Sequence, residues 1–413
     1  MRRLFITTAA AALFFAGGVA NAHPKLVSAS PAANAAVATP EKISLQFSEK
    51  LVPAFSKADL TMAAMPGMAA MKMPSSAAVG ADGRTLTITP KQRLPRGRYS
   101  VGWQRMLDWP TVAIRLALYL VLAALFGLSA FSLYGLRLGE RDDAIALRPW
   151  LTASAALGLL LSAVGLILMA SAMAGSAFWP IDQAAVAALL GGPPVGTAWK
   201  VRMVALVIAV GAALLARGRA SWLAIAMIAA AAALATLAWN GHGAMDEGST
   251  GWLHLGADIL HLLGGGIWVG ALFGLLLLLT RRTEEIDAAH LRLTHRALHG
   301  FGVVGTLVVV TLVVTGLINS WLLVGPANFA ALGTTLYGLL LLAKLVLFAA
   351  MLGLASLNRF RLTPAFERSI AMNDHGGALT ALRVSLAVET ACVIGILALV
   401  AWLGTLAPPA SGM

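Results

Sequence analysis

Two patterns of hydrophobic and polar positions divide the chain. Between residues 23 and 105, apolar and polar side chains alternate in short runs, as in Ile43-Ser44-Leu45-Gln46-Phe47, Thr85-Leu86-Thr87-Ile88 and Tyr99-Ser100-Val101-Gly102-Trp103. A period of two, punctuated by Pro and Gly, predicts half-buried strands. Short strands of this kind bury their apolar faces against one another as a small β-sandwich or barrel. From Pro110 onward the alternation gives way to long apolar runs, at 110–136, 149–172, 198–216, 221–239, 252–280, 299–324, 334–356 and 383–406. A helix of about 20 apolar residues crosses the hydrocarbon core of a bilayer, so each run predicts a membrane span. The third and fourth are separated only by Arg217-Gly218-Arg219-Ala220, which predicts a tight helical hairpin.

The expected fold is therefore mainly α: an eight-helix integral membrane bundle over residues 106–413, preceded by a small β domain over 23–105. Composition agrees, with 59% hydrophobic and 12% charged residues. Soluble domains have about 45–50% apolar and about 25% charged residues. Residues 1–22 read as a secretory signal. Arg2 and Arg3 form its positive start, Leu4 to Ala20 its apolar stretch, and Ala20-Asn21-Ala22 its cleavage site. Cleavage there leaves His23 as the mature N-terminus. The single cysteine, Cys392, lies in the last apolar run, so no intramolecular disulfide is available to the exported segment.

The net charge of +12 raises the question of nucleic acid, and the placement of the charge answers it. Arg137, Arg141, Arg148, Arg217, Arg219, Arg281, Arg282, Arg292, Arg296, Arg359, Arg361, Arg368 and Arg383 fall in or beside the connections after spans one, three, five and seven; the three connections on the other side hold no Lys or Arg. That is the positive-inside bias of a bacterial inner-membrane protein. It predicts an exported N-terminal domain and C-terminus, with lipid and not nucleic acid as the partner. Lys200 and Arg202, at the outer end of span three, are the exceptions, and either snorkel to headgroups or line an entrance.

Three groups of residues could carry chemistry. The first is Met62, Met65, Met68, Met71 and Met73, five thioethers interrupted by Pro66 and Gly67. Thioether sulfur selects Cu(I), although methionines also serve as adaptable core packing. The second is His23, whose α-amino group and imidazole together suit Cu(II). The third is on span five, where His254, Asp258 and His261 are spaced i, i+4, i+7 and share one helical face. Ionisable groups in a membrane normally face a bundle interior or a pathway; the alternative is polar glue between helices. Met169 and Met173 in span two, Met203 in span three, and His242 and Met245 in the connection before span five place further copper-compatible ligands near the exported face. Lys344 and Glu389, on spans seven and eight, either form a buried ion pair or snorkel to opposite interfaces.

The stretches from His23 through Ser30-Pro31-Ala32, Leu45-Gln46-Phe47-Ser48-Glu49, the methionine run and Gly97-Arg98-Tyr99-Ser100-Val101-Gly102-Trp103 resemble the CopC family of periplasmic copper-resistance proteins. The resemblance implies a cupredoxin-like β-sandwich, a Cu(I) site in the methionine-rich loop and a Cu(II) site at the residue matching His23. The family's Asp-Gly-His-Pro turn and last strand have no counterpart here, because Gln104 to Trp109 run directly into the first span. The second Cu(II) histidine is therefore absent.

The membrane half resembles the CopD copper-resistance family through Asp258-x-x-His261-Leu-Leu-Gly-Gly-Gly-Ile-Trp268-Val-Gly270, Tyr337-Gly338 with Lys344, Leu357 to Pro364, and Val388-Glu389. This implies a non-enzymatic role in copper homeostasis, read as inward movement of copper across the inner membrane, with periplasmic copper chaperones as protein partners. Two other readings stay open, a haem-bearing membrane oxidoreductase and a copper-binding sensor or storage protein without transport.

Overall fold

The structure is a computed structural model that describes residues 26–48, 51, 56–63, 71–105, 109–141, 147–174, 178–192, 194–240, 248–280, 288–372, 374, 376–406 and 408–409. The expected signal sequence, with His23 behind it, lies outside these residues. The chain forms two units: one joins Asn21–Thr111 with Gly165–Leu189, and the other joins Val112–Val164 with Leu190–Met413.

Among its described residues the N-terminal unit has seven strands, β1 (Leu26–Ser30), β2 (Ile43–Phe47), β3 (Ser56–Met62), β4 (Met71–Met73), β5 (Ser75–Val79), β6 (Thr85–Pro90) and β7 (Tyr99–Arg105). They form two sheets, ordered β1-β2-β6-β5 and β4-β3-β7. The alternation in the sequence is realised directly: Ile43, Leu45 and Phe47 of β2 and Leu86 and Ile88 of β6 point inward, where they meet Leu60, Leu51 and Leu94. Each such side chain contributes roughly 1.5–3 kcal/mol by leaving water.

The β5–β6 connection is fixed by Asp82. Its Oδ1 accepts the backbone N–H groups of Arg84 (3.0 Å) and Thr85 (3.1 Å), and its Oδ2 accepts the Thr85 hydroxyl at 2.6 Å. The Thr85 side chain and these amides hold the carboxyl below its ordinary value of 3.8. A depressed carboxyl stabilises the fold above its unfolded value, and that stability is lost as pH falls through the folded value. In the full-length protein, Asp82→Ala should lower the protection of the Arg84 and Thr85 amides against hydrogen exchange at neutral pH, measured relative to the intrinsic rate, and protonation of the carboxyl below about pH 4 should lower the same protection in the wild type. Equal exchange in variant and wild type would show that the turn holds without the carboxylate.

The second unit holds most of the membrane bundle. Among the described residues, eight helices are long and apolar enough to span: α1 (Trp109–Gly135), α2 (Leu147–Ala174), α3 (Val195–Leu215), α4 (Ala220–Ala235, prolonged by a 3-10 turn to Asn240), α5 (Gly248–Leu279), α6 (Ala288–Val324), α7 (Leu336–Leu357) and α8 (Gly376–Leu403). Each corresponds to one of the apolar runs. The α3–α4 hairpin turns through Arg217 and Gly218, where φ is +70° at the glycine, a conformation that a Cβ disfavours. Helix α6 begins eleven residues before its apolar run, at Ala288. Beyond α7 a π-helical turn (Asn358–Leu362) leads without a break into a further helix, Thr363–Ala371.

Two contacts organise the centre of this unit. Gly266, Gly270 and Gly274 recur every four residues on one face of α5, and α1 lies against them. A Cβ added to Gly127 of α1 would fall on the Gly266 carbonyl and lie 2.7 Å from Cα of Gly270, so the two backbones touch. The C-terminal end of α5 is held by neighbours: a ring N–H of His290 donates to Leu278 O (2.8 Å) and Arg383 Nε donates to Leu279 O (2.6 Å). Cations and N–H donors favour a helix C-terminus, where carbonyls lack intrahelical partners. Nearby, Glu140 in the α1–α2 connection receives the Arg137 amide (2.8 Å) and Arg296 Nη2 of α6, the latter at 2.6 Å to both carboxylate oxygens. Burial opposes ionisation of Glu140, but these donors outweigh it and hold the carboxyl below its ordinary value.

Candidate metal pathway on helix α5

Helix α5 presents opposite faces to different neighbours. At 3.6 residues per turn, His254, Asp258, His261 and Trp268 fall on one side, roughly opposite the glycine stripe that carries α1. This polar side does not look out at lipid. His254 is buried, and Asp258 and His261 are half-buried. They are met by α6, whose Thr315 and Asn319 lie one turn apart. Asn319 Nδ2 donates to Asp258 Oδ1 at 2.6 Å, and His261 Nδ1 lies 2.9 Å from Thr315 Oγ1. The His261 ring rests over Gly316, where an added Cβ would lie in ordinary contact with it at 3.5 Å. Helix α7 completes the group: Lys344 and Tyr337 lie within the field of Asp258, and Lys344 also acts on His261.

The hydrogen bonds decide the tautomer of His261. Thr315 donates its only hydroxyl proton to Thr311 O, at 2.6 Å. Its oxygen can then serve His261 only as an acceptor, so Nδ1 carries the ring proton and Nε2 keeps its lone pair. This is how metal-ligating histidines are oriented elsewhere, with the far nitrogen donating to a fixed oxygen. His254 Nε2 lies 4.0 Å from Asp258 Oδ2, beyond hydrogen-bond distance but close enough for charge to matter.

His254 and His261 are separated by roughly 10 Å along the helix axis. They form successive positions along a line, and one ion cannot bind both at once. Among the described residues no cluster of three or more His, Cys, Asp or Glu side chains surrounds a single point. Among the described residues, a haem held by two opposed histidines finds no such pair at this level. The facing helix carries its histidines at His290, His295 and His299, about 24 Å or more along α6 from Thr315.

The structure divides the other sequence-based candidates. Met62 and Met73 are not loop residues: they end β3 and β4, are 2% and 6% exposed, and pack in the core of the sandwich. There the thioethers fill space as adaptable core packing. Met71, paired in register with Met62, is 48% exposed. Met65, Met68, His242 and Met245, like His23, lie outside the described residues. Met169 and Met173 are exposed on α2, and Met203 is half-buried on α3. Lys200 is exposed, whereas Arg202 is 3% exposed and donates from Nε to Thr236 Oγ1 at 2.8 Å. Arg202 therefore does not snorkel.

Of the two readings for Lys344 and Glu389, the ion pair is not formed and Glu389, 1% exposed, does not snorkel. Glu389 instead accepts from Trp268 Nε1 and Asn358 Nδ2, each at 2.9 Å. Lys344 sits about 20 Å earlier than Asn358 along the same helical path, beside Asp258. Sequence reasoning missed Thr315, Asn319 and Asn358 as partners. The available signal was the four-residue spacing of Thr315 and Asn319, two polar groups in an otherwise apolar span.

Fold and site together define a class: an eight-span membrane protein with a β-sandwich domain and a line of imidazole and carboxylate groups inside its bundle. The comparisons narrow this. Residues 26–108 match the CopC domain, 106–252 the copper resistance protein D-like N-terminal domain, and 295–403 copper resistance protein D. The polar face of α5 falls between the last two matches. Copper resistance protein D of Pseudomonas syringae pv. tomato is 43% identical over 307 residues, 73% of this chain and 98% of that protein. Copper resistance protein C of Xanthomonas campestris pv. juglandis is 45% identical over 105 residues, 25% of this chain and 83% of that protein. Inner membrane protein YebZ of Escherichia coli is 30% identical over 132 residues, 32% of this chain and 43% of that protein. The chain belongs to the copper resistance protein D family and carries a CopC domain in front of its membrane half.

Proposed function

We propose that the protein is a copper permease of the inner membrane, moving copper inward along the polar face of α5. The observation that carries the reading is the hydrogen-bonded setting of His261, which leaves Nε2 as a ligand in a bundle interior, one helical stretch beyond His254. Copper is the substrate here. Imidazole nitrogen suits copper, and ligands in series let an ion step from one to the next without a closed cage to hold it. Asp258, positioned by Asn319, offsets the charge of the ion between the two rings. The exposed Met71, with Met65 and Met68 beside it in sequence, provides soft sulfur for Cu(I) on the exported side, and His23 offers nitrogen for Cu(II). The arginine-rich connections support an orientation with the N-terminal domain and the C-terminus outside.

Radiocopper flux into proteoliposomes, with the metal kept as Cu(I) by reductant in one series and as Cu(II) in another, tests this. The expected result is saturable Cu(I) entry well above that of protein-free vesicles. Binding without entry in both series would end the permease reading and leave a sensor or storage protein.

A further inference from the structure

A second polar station lies deeper along α5, and the copper pathway does not use it. Glu389 of α8 is 1% exposed and accepts Trp268 Nε1 and Asn358 Nδ2 at 2.9 Å each. The side chains bonded to it are neutral. Helix α5 gives Trp268, whose ring is met edge-on by Phe301 of α6 at 5.3 Å between centroids. The π-helical turn after α7 gives Asn358, and α8 itself gives Ser385, one turn before Glu389. The nearby cations point elsewhere: Arg359 donates to Gly302 O and the Thr306 hydroxyl, and Arg383 to Leu279 O. Among the described residues, the side chains that act on Glu389 are Trp268 and Asn358.

A carboxylate buried with two neutral donors and no cation is costly to keep charged. A neutral carboxylic acid in the same place needs an acceptor for its O–H. The site contains acceptors of that kind. Asn358 Oδ1 and Ser385 Oγ are both buried and have no hydrogen-bond partner. The amide of Asn358 can therefore turn by half a revolution, exchanging Nδ2 for Oδ1 at Glu389, without breaking a bond on its oxygen side. One orientation donates to the anion, and the other accepts from the acid.

We propose that Glu389 is a reversible proton-binding site within the bundle, with Asn358 as the amide that turns to serve both charge states. The proton comes from water and returns to it, and no other bond changes. The site is independent of whether copper moves through α5.

Infrared difference spectroscopy of the full-length protein in liposomes, titrated from about pH 4 to about pH 9, reads the site directly through the carboxylic C=O stretch. The expected result is a band that vanishes as pH rises, is missing from Glu389→Gln and is retained in Asp258→Asn. Asn358→Leu should shift the band to the higher frequency of a carboxylic acid whose O–H lacks an acceptor. A titrating band that survives Glu389→Gln, or one lost in Asp258→Asn instead, would overturn the assignment. An unshifted band in Asn358→Leu would remove the amide from it. Elution of each variant as a monodisperse peak on size-exclusion chromatography separates these outcomes from misfolding.

Discussion

Proteoliposomes carrying the His254→Ala, His261→Ala double variant should take up radiocopper no faster than protein-free vesicles. The expectation follows from position and not from number of ligands. The two rings are successive points on one helical face, so removing both interrupts the route over roughly 10 Å of low-dielectric interior. Single variants should each leave a residue of flux. Thr315→Val is the more telling companion. It keeps the volume at the contact and deletes the oxygen that fixes the His261 proton on Nδ1. Loss of a partner that orients a metal-binding histidine typically lowers affinity or activity by about 10–100-fold, and uptake should fall within that range. Unchanged entry in the double variant, at equal insertion and helix content, would mean that copper does not pass along α5.

The largest effect on stability should come from Gly127→Val. Overpacking a core usually costs about 1–3 kcal/mol, because side chains and backbone can shift. Here the obstacle is the backbone of Gly266 and Gly270, which has nothing to yield into. The cost should exceed that range and take a large part of the roughly 5–15 kcal/mol that a folded protein has. The variant should be recovered as aggregate, or melt far below the wild type by fluorescence-detected size exclusion. Gly265→Ala, on the same helix, is the control: a Cβ there meets nothing within 4 Å, and alanine should be neutral or stabilise the helix by about 0.5–1 kcal/mol. Wild-type melting of Gly127→Val would show that α1 and α5 do not cross as described.

The eight spans were legible because a bilayer demands long apolar runs, and the strand positions at 43–47, 85–88 and 99–103, each within an observed strand, because a half-buried strand demands alternation. The common face of His254, Asp258 and His261 was legible from helical period alone. Its partners were not, since period says which residues share a face and nothing about which helix that face meets. Thr315 and Asn319 could be assigned only once α6 was seen to run beside α5. The partners of Lys344 and Glu389 were not legible for a related reason. Opposite charges on neighbouring spans suggest a pair, but their levels along the bundle depend on where α7 and the π-helical turn lie. Met62 and Met73 illustrate a different limit. Thioether sulfur is both a soft ligand and a good space-filler, and only the positions of β3 and β4 distinguish the two uses.

The two sides of α5 differ in how much freedom they leave. Its glycine stripe meets α1 backbone to backbone, a fit so tight that sliding by even about an ångström would drive atoms into one another. The side carrying imidazole and carboxylate meets α6 through side chains, with Leu312 and Thr311 packed on Gly264 and Thr315 and Asn319 bonded to His261 and Asp258. A rearrangement along the polar face that leaves α1 on its glycine stripe therefore has to repack α6 against Gly264 as well as exchange these bonds.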